Sequence, residues 1–121
     1  MRNPENIVRR LTELFQRLLK EPMLKKGGDW KDEWLGWDLD RKGVYILWRR
    51  DDDINKNIPA VYVGEGILGP RIWDSFYNRD WQYAQMFTDD VISGDSKECR
   101  FWRRALERFC ILVFEPEDNI D

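Results

Sequence analysis

The chain has 121 residues, room for one domain. Charged residues make up 36%, well above the usual ~25%, yet 14% aromatics is too many for a disordered polyelectrolyte. No run approaches the ~20 apolar residues of a membrane span, and with no histidine the chain excludes histidine base chemistry and the common zinc sites.

Asn3-Pro4-Glu5 is a helix start: an Asn cap, Pro at the first helical position and an acid in the first turn. Ile7, Leu11, Leu14, Phe15 and Leu18 follow at helical spacing, and the helix is expected to end before Pro22. This charged, amphipathic start has no secretory-leader core. Lys25-Lys26-Gly27-Gly28 reads as a loop. Residues 29–42 are dense in Trp and Asp without a clear period. Trp30, Trp34 and Trp37 suit packing onto the domain, or a stacking or protein-docking surface across 30–37.

Gly43 to Trp48 is a strand by composition, and Ala60 to Gly64 a second. They pair most simply as an antiparallel hairpin, with Asp51-Asp52-Asp53 in its loop as solvated acids rather than a metal claw. Pro70 is placed to open a helix through Arg71, Asp74, Tyr77 and Asn78. Alternation over 82–87 predicts a third strand. Asp95 with Glu98 forms a capping box that opens a helix running to about Phe114, before Pro116. Cys99 and Cys110 stand 11 apart in that helix, too far for a disulfide, and read as reduced thiols of a cytoplasmic protein. The expected fold is α/β (α+β). A three-stranded antiparallel sheet is flanked by helices, residues 42–121 form the domain, and residues 1–41 are an N-terminal extension packed on it.

The net charge of −3 argues against an indiscriminate nucleic-acid binder, but the charge is uneven. Residues 1–20 carry +3 and residues 111–121 carry −4. Arg100, Arg103 and Arg104 project within ~60° of Glu107 on a helical wheel. That is either a stripe for a polyanion, extended by Arg79, or a set of ordinary surface ion pairs. No phosphate-cradling Gly-Lys-Ser/Thr loop or dinucleotide fingerprint is present. What remains for chemistry is single residues: tyrosines on strands, an arginine on one helix and a glutamate on a later one.

Gly43-Val44-Tyr45 and Tyr62-Val63-Gly64 resemble the two halves of the signature of the GIY-YIG nuclease superfamily. Arg71 follows the second glycine by seven residues, Glu107 lies in the capped helix, and Asn119 follows Pro116 in Phe114-Glu115-Pro116-Glu117-Asp118-Asn119. The resemblance covers about residues 42–120. It implies a metal-dependent endonuclease that cuts nucleic acid, most simply DNA, with Tyr45, Tyr62, Arg71, Glu107 and Asn119 as its catalytic set. Glu107 would hold one Mg²⁺ or Mn²⁺. Arg71 would grip the scissile phosphate, the tyrosines would position or deprotonate water, and Asn119 would brace the site. Three departures stand out. Sixteen residues separate Tyr45 from Tyr62, Ser75 stands where members often carry His or Tyr, and Glu65 where some carry Lys. A non-catalytic module that keeps the fold and binds nucleic acid or protein is the alternative.

Overall fold

The computed structural model describes residues 3–25, 40–49, 61–78 and 81–114, with side chains at all of these but 73 and 75–78. Helix α1 (Pro4–Leu19) begins at Asn3, whose side chain accepts a hydrogen bond from the Glu5 amide. Strands β1 (Leu24–Lys25), β2 (Lys42–Trp48) and β3 (Val61–Ile67) follow, then α2 (Leu68–Asn78), β4 (Tyr83–Thr88), α3 (Asp89–Ile92) and α4 (Ser96–Phe114). Asp95 caps α4 by accepting from the Glu98 amide.

The sheet is antiparallel in the order β1-β4-β2-β3. It has four strands where the sequence suggests three. The extra strand is the two-residue β1, too short for periodicity to reveal, which pairs Leu24 with Ala84 and Lys25 with Tyr83 at one edge. The hairpin expectation holds: β2 and β3 are antiparallel, with Tyr45 opposite Gly64 and Leu47 opposite Tyr62.

Helices cover both faces of the sheet, so β2 is buried on both sides and reads as a continuous apolar run. On one face Val44, Ile46, Trp48, Val63 and Phe87 pack against α1 and α4. On the other Tyr45, Leu47, Ala84 and Met86 pack against Leu68 and Ile72 of α2 and against Trp81. Helix α1 is therefore not a mere attachment. Leu11, Leu14 and Leu18 of α1 sit in the same core as the hairpin. Gln85 ties the end of α1 to the sheet: its amide nitrogen donates to the carbonyls of Leu19 and Glu21, and its oxygen accepts from the Trp48 indole.

Candidate active site

β3 is an edge strand, and three of its residues organise the site. Tyr45 and Tyr62 lie on the α2 face, where their rings stack at 6.3 Å between centroids. Tyr45 extends across the strand, so that its hydroxyl and ring tip occupy the space a side chain at Gly64 would need. Gly66 has φ +123°, a conformation that favours glycine, and a Cβ there would come within 2.9 Å of Arg71 Nε. The glycines thus clear room for the tyrosine tip and the guanidinium. Arg71, on the first turns of α2, donates a hydrogen bond to the Tyr45 hydroxyl.

Glu107 comes from α4, which packs on the opposite face from the tyrosines. The resemblance implies that Tyr45, Tyr62, Arg71 and Glu107 converge on one open concave surface, and a Glu107 on the far face counts against a nuclease. That expectation is corrected: Tyr45 and Arg71 come together at Gly64–Gly66 of β3, while Glu107 stands on the helix of the other face. Glu107 lies close enough to feel the charges of Glu65 and Arg71, and Tyr45 in turn feels Glu107. Burial, followed by repulsion from Glu65, lifts the Glu107 carboxyl above its ordinary range, against the opposing pull of Arg71.

Tyr45 itself is deeply buried. It is only 1% exposed, and burial, with Tyr62 next in effect, pushes its hydroxyl far above the ordinary tyrosine value. The hydroxyl stays protonated and accepts from Arg71.

Beside these groups lies a cavity of ≈ 430 Å³ lined by Lys42, Glu65, Arg71, Arg100, Arg103 and Arg104, among others. Arg100 and Arg104 are exposed on it. Arg103, expected in the same solvent-facing stripe, is buried instead. Its Nε donates to Glu65 at 3.0 Å and its Nη1 to Asp89 at 2.6 Å. Burial opposes its charge, but those two bonds more than offset that and hold its pKa above the ordinary value. Arg103 is thus committed within the chain.

Asn119, Arg79 and the Trp30–Trp37 segment lie outside the described residues, as do the acids at 51–53 and the side chain of Ser75. In the sequence Glu65 stands out only as a departure from the resemblance. Period two along β3 puts it on the face of Val61 and Val63, toward α4, which is the signal that places it beside Arg103. Lys42 and Lys97 also join the basic surface, and the wheel of α4 alone could not bring in a residue from β2.

A small hard cation would find one carboxylate donor here. Glu65 is already bound to Arg103, so Glu107 is the carboxylate left to offer oxygen to a cation, with Arg71, Arg104 and Arg108 drawing on the same charge. Among the described residues no group of three or more His, Cys, Asp or Glu side chains forms a cage, so water and a substrate phosphate would complete the coordination. No family model, curated protein or solved structure matches the chain.

Proposed function

We propose that the protein is a metal-dependent endonuclease of GIY-YIG type that hydrolyses phosphodiester bonds in nucleic acid, DNA being the simplest substrate. The observation that carries this reading is the pairing of Tyr45 with Arg71 at Gly64–Gly66 beside a basic cavity, with the Glu107 carboxylate within range of the Arg71 charge.

The exposed Arg71 presents a permanently charged fork to a phosphoryl group, and Tyr45 fixes the direction of that fork. Preorganised charge of this kind offsets the charge developing on the phosphoryl oxygens. Half-buried Tyr62 closes one side of the site with its ring and offers a hydroxyl to orient water. Glu107 would hold Mg²⁺ or Mn²⁺, which would supply Lewis-acid chemistry at the phosphodiester. Arg100 and Arg104 bring the polyanion to the cavity despite the net charge of −3.

The test is a cleavage screen over single-stranded, duplex and branched DNA and RNA, with and without Mg²⁺ or Mn²⁺. The parent is expected to cut only with metal. Glu107→Gln is expected to bind and not cut. Arg71→Ala is expected to lose about 10²–10³ in rate, as for removal of a transition-state donor. If the parent binds nucleic acid but never cuts it, the protein is a binding module on this fold.

A further inference from the structure

The basic surface continues past the residues that would carry out the cut. A second cavity, of ≈ 180 Å³, shares Lys42, Arg100 and Arg103 with the first and adds Ser96, Lys97 and Asp89. The two form one trough lined by six cations and two carboxylates. Both carboxylates, Glu65 and Asp89, are already bound to Arg103. Lys42, Lys97 and Arg100 are exposed and make no ion pair among the described residues. They come from two elements, the first residue of β2 and the first turns of α4, so the fold itself gathers them. Uncompensated cations held close together repel one another, and a polyanion relieves that repulsion.

We propose that a nucleic-acid strand leaves the cutting site along this trough, its next phosphates seated on Arg100, Lys42 and Lys97. The proposal rests on the nuclease reading for what Arg71 grips. Cations spread over two joined cavities suit successive phosphodiesters, whereas a free phosphate occupies one cavity alone. Arg103 is outside the path because its charge is already matched.

The test measures binding of a short labelled DNA oligonucleotide in a Glu107→Gln background, so that cutting does not interfere. The Lys42→Glu/Arg100→Glu pair is compared with Lys20→Glu/Lys25→Glu, which changes the net charge equally at the β1 end of the molecule. The first pair is expected to weaken binding at least tenfold. It should also flatten the slope of log K against log salt by about 1.4–1.8 units, at 0.7–0.9 for each of the two lost phosphate contacts. The second pair is expected to leave the slope unchanged. Equal effects from both pairs would show a net-charge effect only and overturn the path, as would an unchanged slope in the first. Inorganic phosphate that displaces the oligonucleotide at matched phosphate concentration would overturn it in favour of a single-anion pocket. A parent that binds without cutting under any metal condition removes the nuclease reading, while the slopes still decide the trough.

Discussion

At the residue scale, the two glycines of β3 are spatial requirements of the site. At Gly64 an added methyl would meet the Tyr45 hydroxyl and ring tip, and Tyr45 is buried too firmly to swing clear. Gly64→Ala is therefore expected to cost about 1–3 kcal/mol of stability and to pull the hydroxyl off Arg71. Thermal unfolding and cleavage rates measure the two effects. Full activity in a folded variant would show that the Tyr45–Arg71 bond is dispensable. Glu107 gives a second prediction. Its pKa is raised in the folded chain by burial and then by Glu65, so the folded state holds that proton more tightly than the unfolded state. The associated stability is present below the ordinary carboxylate pKa of about 4.3 and is lost as pH rises through the raised value. Glu107→Gln cannot suffer that loss. It is expected to be at least as stable as the parent at neutral pH, the usual stability cost of a site built for chemistry. Urea midpoints at acid and neutral pH check this. A variant less stable at pH 7 would make Glu107 a structural partner. The cysteines of the same helix are inert by the same physics. Burial, followed by the Glu107 charge, pushes Cys110 up to about 12, and both thiols are free and buried.

At the element scale, Arg103 joins three pieces of structure: its own helix α4, β3 through Glu65 and α3 through Asp89. It thereby fixes the helix that carries Glu107 against the strand over which Tyr45 extends. Removing it strands two carboxylates in a half-buried setting. Arg103→Met is expected to lose about 3 kcal/mol or more, whereas Arg104→Ala should lose about 0–1 kcal/mol. Arg104 is 56% exposed in its side chain and stands 4.0 Å from Glu65. Denaturant unfolding separates the two, and equal costs would deny Arg103 its bridging role. The sequence displays this helix well. Its cap at Asp95 and its end near Phe114 follow from local chemistry. It does not display which helix arginine turns inward, because Arg100, Arg103 and Arg104 have the same intrinsic properties. Only the placement of Glu65 and Asp89 by other elements selects Arg103. The short β1 and α3 were unreadable for a related reason. Two and four residues carry too little periodicity: β1 exists through its pairing with β4, and α3 through contacts with β4 and α4.

At the scale of the whole molecule, the sequence points to the hairpin, the third long strand and the amphipathic first helix. It does not reveal how much the rest depends on that helix. A spacing of Leu11, Leu14 and Leu18 shows an apolar stripe, and the same stripe would serve an attachment or an integral part. The structure makes it integral. Those three leucines reach the core face of β2 and β3, and Phe15 packs its ring on Phe109 and Phe114 of α4 at 5.4 and 5.5 Å. Gln85 adds hydrogen bonds that need the end of α1 in place. Burying each leucine is worth about 1.5–3 kcal/mol, so the three together contribute about 5–9 kcal/mol. That is comparable with the whole net stability of a typical domain, about 5–15 kcal/mol. A fragment of residues 42–121 would also expose Val44, Ile46, Trp48 and Val63 on the vacated face. Although the family resemblance begins near residue 42, the fragment is expected not to fold. Its circular dichroism should lack a cooperative melt and it should not cut nucleic acid. Supplying residues 1–25 as a separate peptide should restore part of the signal, because the lost contacts are apolar and hydrogen-bonded rather than covalent. A fragment that melts cooperatively on its own would return α1 to the status of an attachment and place the folding unit at residue 42.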